Sequence, residues 1–561
     1  MSKTLFWYLF RDLAKVFLLA MLVLAGIMSF GGLLRPLTQK GLDLWQVLQI
    51  LFYLMPAMMT YSIPVASLFA ATIVYGRLTA DNELTACRAA GLSYLSMAMP
   101  AAAMGLVISV GSLVFLSYIV PYFTLSIERV MYANVAKWIA NDIERSHELP
   151  FSRRTGPRIY AQGAYVPPTQ QSDVQTVVLI GPTIVNEDRN RPGVPVSFLM
   201  ARKATLRIHQ RAGGQMLIDG DLEGGVSFER QETGRPRGGI EQQHFGPIPV
   251  PPPITESVKF MDIDRLRQQT ASPEKAERVA TALAAFIASE QEDLFLRGVQ
   301  TRLATEGKVI FQSEHESYEV QARGLQMMLA PSELTVSTVT RPARFIHFAR
   351  RQADGHIDLT ADAKLLSLRV KADNADNRLR LSVDLQTPSS ADDSIPHVQM
   401  LIGNDPLEER AHAMPSLSIP MPPDLQLLRQ RTADDYLRSN YLPQKRMGLE
   451  RQMIRVHNGA VAEMHSRASF ALSCLVLVVL GCCMGMVFRS GDFLTAFAVC
   501  VIPALATITL VVAGQQLATD IPDNIAHGFR NPLPFALSMI WAGNALISLI
   551  ALGVMRRLHR H

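Results

Sequence analysis

The stretch FLLAMLVLAGIMSFGGLL, residues 17–34, decides the fold. It belongs to an apolar run from Asp12 to Leu34 that only Lys15 interrupts. Five further apolar runs follow, at about 45–75, 92–120, 468–488, 493–513 and 533–555. A bilayer core about 30 Å thick needs about 20 apolar residues per helix, and all six runs have that length. The first run is too long for the apolar core of a signal peptide, so we expect it to be retained as a span. The sequence therefore predicts six membrane-spanning helices, three at each end of the chain.

The composition is consistent with a chain that combines apolar ends with a polar middle region. The 561 residues are 48% hydrophobic and 18% charged, averages that do not indicate a disordered, collagen-like or disulfide-rich protein. Length alone, at roughly 150 residues per domain, suggests about four soluble domains. However, both ends are strongly apolar and the middle is ordinary polar sequence. A single soluble enzyme is therefore not expected.

Basic residues near the span ends predict the orientation. With both termini inside, nine basic residues fall in inner segments: Lys3, Arg11, Lys15, Arg77, Arg88, Arg489, Arg556, Arg557 and Arg560. Only Arg35, Lys40 and Arg530 fall in the short outer loops. Since inner loops carry the excess of Lys and Arg, this pattern favours cytoplasmic termini and places the long middle region outside the cytoplasm. The net charge of +5 is thus a topology signal, and no nucleic-acid partner is expected.

The middle region has the patterning of a mainly β domain. Period-two stretches predict strands at 197–208, 343–350, 364–372 and 378–387. Turns are predicted at Asp219-Gly220 and 374–377, and the proline-rich stretches 247–253 and 415–423 are predicted to be extended linkers. A helix is predicted at about 273–304, capped by Ser272 with Pro273 in its first turn. A second helix is predicted from about 425 into the fourth span.

The sequence contains no recognisable catalytic centre. A GxxxxGK[ST] phosphate loop, HExxH and GxSxG are all absent, and Gly307-Lys308 is followed by Val309. The outer histidines lack metal-ligand spacing. The five cysteines (Cys87, Cys474, Cys482, Cys483 and Cys500) lie in spans or on the inner side, so no disulfides are expected in the outer domain. No cofactor, metal site or catalytic residue is predicted. Ionisable residues are nearly absent from mid-span, which gives ion coupling little support.

The loop between spans two and three is the most informative stretch. Residues 75–93 read YGRLTADNELTACRAAGLS. A short helix is predicted after Asp81 as the N-cap, and Gly91 is expected to end it. Glu83 would share one face with Ala86 and Ala90. The other face would carry Leu84, Cys87 and Arg88. Small residues permit close approach by another protein, although a simple interfacial connector helix has the same pattern.

This loop closely resembles the motif of the LptF/LptG (YjgP/YjgQ) family, the permeases of the lipopolysaccharide-export ABC transporter. The three-plus-three span layout around one outer domain is also similar. The resemblance covers Arg11–Pro121 and recurs in 463–494, where Arg467, Gly481–Gly485 and Arg489 match the family's fourth span and following turn. It implies a fold of six transmembrane helices with a large jellyroll-like periplasmic domain, here carrying a helical insertion.

The resemblance also implies partners and sites. Two paralogous permeases, or two copies of one, would sit on a cytoplasmic ABC ATPase in the inner membrane, so this chain would have no ATPase site of its own. The loop helix would couple to the ATPase through Glu83, Leu84 and Arg88. Arg35 and Lys40, at the outer end of span one, would meet lipid phosphates, although an ordinary snorkelling arginine is the alternative for Arg35. The outer domain would pass lipopolysaccharide to a periplasmic bridge protein.

Some alternatives stay open. The expected domains are 1–121, with the coupling helix at about 81–90, then 122–462, and 463–561. The outer domain is larger than the family's and matches weakly, so it is either one enlarged domain or two, and a related glycolipid is an alternative cargo. A non-transporting receptor or scaffold is the competing function, but the short inner loops leave no room for a signalling domain. A lipoprotein-releasing permease normally has one span before its outer domain, and this chain has three.

Overall fold

The computed structural model describes residues 3–40, 44–124, 135–150, 158–167, 174–188, 191–210, 216–229, 239–250, 258–314, 316–330, 333–337, 346–352, 355–373, 377–386, 411–414, 417–439, 441–488, 493–521 and 531–560. The helices are α1 (Lys3–Lys40), α2 (Leu44–Ala80), α3 (Glu83–Ala89), α4 (Tyr94–Val114, continued by a π-helical turn at Phe115–Ile119), α5 (Val135–Ser146), α6 (Ile263–Ala271), α7 (Glu277–Thr305), α8 (Pro423–Gln426), α9 (Ala433–Arg438), α10 (Pro443–Val487), α11 (Phe493–Thr519) and α12 (Leu533–Arg560). Short 3₁₀ turns lie at Val258–Phe260, Pro273–Lys275 and Leu427–Gln430.

Six of these helices are long and apolar enough to cross a membrane: α1, α2, α4, α10, α11 and α12. Their order, three before and three after the polar region, confirms the six predicted spans. Helix α10 has 45 residues and begins at Pro443, well before the apolar run but later than the predicted start at about 425. Pro443 stands at its first position, where a proline costs no hydrogen bond. The predicted helix from about 425 is instead broken into α8, a 3₁₀ turn and α9 before α10 begins.

The strands form three antiparallel sheets. They are β1 (Glu148–Pro150), β2 (Arg158–Tyr160), β3 (Gly163–Tyr165), β4 (Val174–Ile180), β5 (Thr183–Asp188), β6 (Arg191–Gln210), β7 (Met216–Glu229), β8 (Gly239–Val250), β9 (Lys308–Gln312), β10 (Glu316–Gln321), β11 (Gln326–Ala330), β12 (Glu333–Ser337), β13 (Ile346–Gln352), β14 (Ile357–Ala363), β15 (Leu365–Asp373), β16 (Arg378–Gln386), β17 (Ala411–Ala413) and β18 (Leu417–Pro420). The first sheet has the order β1-β2-β5-β6-β4-β3, with β7 on β6 and β8 on β7. The second is β14-β13-β10-β9. The third is β11-β12-β15-β16-β17, with β18 also on β16. The mainly β middle region with a helical stretch is thus confirmed.

The chain divides into two compact units. The first comprises Met1–Thr270, Asn458–Asp520 and Asn531–His561, and so contains α10 from Asn458 onward, the other five membrane helices and the first sheet. The second comprises Ala271–His457 and Ile521–Arg530, and contains α7 with the other two sheets. In the first unit, α5 packs on the first sheet through Ile139 and Ile143. In the second, the core lies between α7 and the strands.

Close packing of α2 and α10 organises the membrane part. Gly481 and Gly485 stand one helical turn apart on α10, and a Cβ on either would lie within 3.0 Å of α2. At Gly481 the nearest atom is the Leu68 carbonyl oxygen, and at Gly485 it is the Gly76 nitrogen. This small-xxx-small pattern lets two membrane helices approach backbone to backbone, where dispersion forces are strongest. The Gly481–Gly485 stretch, which resembles the family's fourth span, therefore has a packing role.

The turn predicted at Asp219-Gly220 is wrong, and so are the two predicted proline-rich linkers over their described residues 247–250 and 417–420. Asp219 and Gly220 lie inside β7, paired with β6. Asp219 accepts a hydrogen bond from Arg207 across the strands (3.0 Å), which raises the pKa of that guanidinium. This cross-strand pair stabilises Asp219 within the strand, which explains why the position does not form a turn. The start of the stretch 247–253 lies in β8, and Leu417–Pro420 forms β18. The described part of each strand pairs on one side only, a position where proline is tolerated.

The helical insertion is confirmed in place but starts later than predicted. Ser272 precedes only the 3₁₀ turn and makes no side-chain capping bond. Ala276 is extended and α7 begins at Glu277. The helix also buries polar residues that the sequence gave no reason to expect inside. Gln291 donates to the Leu425 carbonyl (2.8 Å), and Glu292 accepts from the Ala372 amide (3.0 Å).

Candidate functional site

Helix α3 is a single short element between α2 and α4. Its N-cap is Asn82, in the left-handed conformation (φ 58°) and without a side-chain capping bond, so the predicted Asp81 cap is wrong. The Asp81 amide donates to the Arg77 carbonyl (2.9 Å) and still belongs to the last turn of α2. Asparagine tolerates the left-handed region better than most residues, which suits it to this sharp turn. Gly91, at φ 84°, follows the end of α3 as predicted.

The two faces of α3 have different surroundings. Glu83 is exposed in the first turn of α3. Ala86 and Ala90, further along, are exposed too. Leu84 is only 7% exposed and belongs to the apolar core shared by α1, α2, α4 and α10. Leu84 therefore attaches α3 to the body of the chain, while Glu83 points to the surface at the positive end of the helix.

Arg88 ties α3 to the start of α4. Its guanidinium carbon lies 4.3 Å from the centroid of the Tyr94 ring, a cation–π distance, and one of its N–H groups donates to the Tyr94 hydroxyl. Stacking and a hydrogen bond on one side chain limit how far α3 can move relative to α4. Arg88 thus has partners within the chain and also remains exposed.

The helices that flank α3 are themselves fixed. The Tyr75 hydroxyl donates to the Met97 carbonyl (2.7 Å), which links the end of α2 to α4. The Thr79 hydroxyl lies 3.0 Å from the Gly485 carbonyl of α10. Because buried hydrogen bonds of this kind are costly to break, α3 is presented on a rigid base.

Arg35 and Lys40 belong to the last turns of α1, which continues to Lys40. Their side chains lie outside what the structure describes, so their role as phosphate contacts remains a prediction. Arg489 and Arg530, which contributed to the predicted orientation, also fall outside the described residues.

Comparison with protein families identifies the chain. The family model of the lipopolysaccharide export system permease LptF/LptG matches residues 7–206 and 343–557, more than half of the chain. The protein belongs to this family. A search of curated proteins found no significant match. The family resemblance read from the loop at 75–93 is thus confirmed, and its members are membrane components of a transporter rather than enzymes.

The match of this LptF/LptG-family permease is interrupted at 207–342. The interruption includes β7 and β8, all of α7 and the strands β9 to β12. These elements are the part of the middle region that the family model does not match. Among the described residues, no group of three His, Cys, Asp or Glu side chains is placed to hold a metal ion.

A buried polar cluster on α10 is the feature that sequence reasoning missed. Arg467 is 1% exposed, and its Nε donates to Glu463 Oε1 (2.9 Å). Its Nη2 donates to the carbonyls of Lys259 (3.1 Å) and Met261 (2.7 Å). Gln515 of α11 donates to the other oxygen of Glu463 (2.7 Å). The sequence offered two signals for this cluster: the i,i+4 spacing of Glu463 and Arg467, and the position of Arg467 in the stretch that resembles the family's fourth span.

Proposed function

We propose that this permease extracts lipopolysaccharide, or a related glycolipid, from the inner membrane and passes it to a periplasmic bridge protein. A separate cytoplasmic ABC ATPase supplies the energy, and a paralogous permease or a second copy completes the membrane part. The observation that carries the proposal is α3: an exposed Glu83 on a helix held by Leu84 and Arg88. Family membership supports the lipid cargo.

In this proposal both termini are cytoplasmic, so α3 faces the ATPase. Glu83 pairs with a basic residue of the ATPase, and its position in the first turn of α3 adds the favourable interaction of a carboxylate with the helix dipole. Leu84 acts from inside the chain by keeping α3 on its base. Arg88 acts by holding α3 to Tyr94.

Substitution of Glu83 tests the coupling role. Glu83→Ala removes a charge-assisted bond of about 1.5–3 kcal/mol, which lowers ATPase affinity by about ten- to a hundredfold. Glu83→Lys adds repulsion and is expected to abolish the complex. Both variants are measured by copurification with the ATPase and by lipid-stimulated ATP turnover.

Asp81→Asn is the matched control, since Asp81 is an exposed carboxylate two residues from Glu83 and outside α3. Assembly and turnover are expected to stay near wild type in this control. If Glu83→Lys assembles and turns over ATP like wild type, α3 does not couple to the ATPase through Glu83.

Arg35 and Lys40 are proposed to meet the lipid phosphates through charge-assisted hydrogen bonds. A photocrosslinking residue in place of Leu34 is expected to capture lipopolysaccharide, and Arg35→Gln in the same background is expected to weaken that capture. The absence of any lipid adduct at this position in the assembled transporter removes the site.

A further inference from the structure

A cavity of about 460 Å³ opens between three membrane helices at the end of the bundle where α3 lies. It is bounded by the start of α4, the end of α10 and the end of α12. Its floor includes the buried side chains of Ala98, Cys483 and Met486. The volume falls within the range of about 300–1,000 Å³ that is usual for small-molecule sites.

The cavity has exposed apolar residues at its edge. Two of its lining residues, Leu95 and Leu552, are 62% and 53% exposed, and both belong to membrane-spanning helices. Apolar side chains exposed on membrane-spanning helices are suited to contact with lipid hydrocarbon. The lining thus offers an acyl chain apolar side chains from the exposed rim to the buried floor.

The rim of the cavity is cationic. Arg556 lines it, is exposed, and has no ion-pair partner among the described residues. Tyr94 lines it too, and the Arg88 guanidinium stacks on the ring of Tyr94. An apolar floor beside an arginine is complementary to a molecule with an acyl chain and an anionic head. Basic pockets between membrane helices on the cytoplasmic side bind such lipid headgroups.

We propose that this cavity binds one anionic phospholipid of the cytoplasmic leaflet, with an acyl chain on the floor and its phosphate at Arg556. The leaflet rests on the orientation given under the proposed function, whereas the lipid chemistry does not. Because Tyr94 contacts both the cavity and Arg88, the bound lipid touches the residue that holds α3 to α4.

Lipid binding to the purified full-length protein tests the proposal. The delipidated protein is titrated with dioleoylphosphatidylglycerol or dioleoylphosphatidylcholine, and bound lipids are counted by native mass spectrometry. Wild type is expected to retain one phosphatidylglycerol with at least tenfold preference over phosphatidylcholine. Arg556→Gln is expected to lose that preference, and Arg556→Lys to keep most of it.

Two further variants make the test specific. Arg557→Gln removes the neighbouring exposed arginine, which does not line the cavity, and is expected to behave as wild type. Ala98→Leu fills the floor and is expected to reduce retention of both lipids, with gel filtration to verify folding. The proposal is overturned if wild type shows no preference, if Arg556→Gln and Arg557→Gln lose it equally, or if folded Ala98→Leu binds normally. None of these readouts involves the ATPase, so they fail or succeed independently of the Glu83 experiments.

Discussion

Replacing Arg467 with methionine is expected to release the segment 258–271 from α10. Arg467 is the only side chain shown to donate to both the Lys259 and Met261 carbonyls among the described residues, and it also neutralises Glu463. Met261 and Leu266 of this segment pack on Ala460 of α10 in a small apolar cluster of their own. With so few apolar contacts, the charged hydrogen bonds provide much of what holds the segment in place.

The expected size of the effect follows from these contacts. A hydrogen bond from a charged donor contributes about 1.5–3 kcal/mol, so losing the two carbonyl contacts of Arg467 costs about 3–6 kcal/mol locally. Removing one partner of a buried ion pair costs about 3–5 kcal/mol, which agrees in magnitude. Since each 1.4 kcal/mol is a factor of ten, a loss of about 3 kcal/mol accelerates local opening about a hundredfold.

Hydrogen–deuterium exchange of the full chain in detergent measures this opening. Amides of α6 in Arg467→Met are expected to exchange at least about a hundredfold faster than in wild type. Arg265→Met is the control, because Arg265 lies on α6 and its side chain has, among the described residues, one exposed ion pair, 3.9 Å from Asp262, which contributes about 0–1 kcal/mol. The double variant Glu463→Gln/Arg467→Met leaves no unpaired carboxylate at position 463. It still lacks the two carbonyl contacts of Arg467, so fast exchange of α6 is expected in this variant too. Unchanged exchange of α6 in Arg467→Met would refute the reasoning.

Three further predictions concern packing and titration. Gly485→Leu places a Cβ within 3.0 Å of α2 and is expected to abolish the monodisperse peak on gel filtration. Gly553→Leu, which has open space around it, is expected to keep that peak. Leu84→Ala is expected to speed amide exchange in α3 through the loss of about 2–5 kcal/mol of buried packing, while Ala86→Ser on the exposed face leaves it near wild type. Burial raises the pKa of Tyr436 from 10.0 to about 12, so between these pH values the folded chain keeps a proton that the unfolded chain releases, and stability falls as pH rises. Tyr436→Phe is expected to flatten this dependence, measured as the unfolding midpoint against pH; an equally steep decline in the variant contradicts the assignment.

Sequence patterns predicted the features that depend on neighbouring residues: the membrane spans, some of the strands and the position of α3. The length of an apolar run is sufficient to define a membrane span, so all six helices were predictable. The strands β15 and β16 were predictable in the same way, because apolar and polar residues alternate along both. In the structure the two strands pair as far as Asp373 and Arg378. Helix α3 was predictable in position but not in its cap, since nothing in the sequence assigns the left-handed conformation to Asn82 rather than a capping role to Asp81.

Long-range partners were not predictable. The carbonyls that Arg467 binds lie about two hundred residues earlier in the chain, in a segment with no motif. The same holds for Glu290 of α7, whose pKa is raised by burial although Arg431 opposes that shift. A charged residue inside a helix is usually solvated, and only the fold shows which ones are enclosed.

The family match is interrupted at 207–342, and the core of the second unit shows how α7 of this stretch is packed. Val279, Phe286 and Leu303 of α7 share one apolar core with strands of the matched region, including β15 and β16. In addition, Glu292 of α7 satisfies the Ala372 amide of β15. A separately folded insert keeps its own core and hydrogen bonds, whereas here the unmatched helix covers the apolar face of the matched sheet. Removing α7 would expose that face to water, so α7 belongs to the same hydrophobic core as the matched strands of this unit.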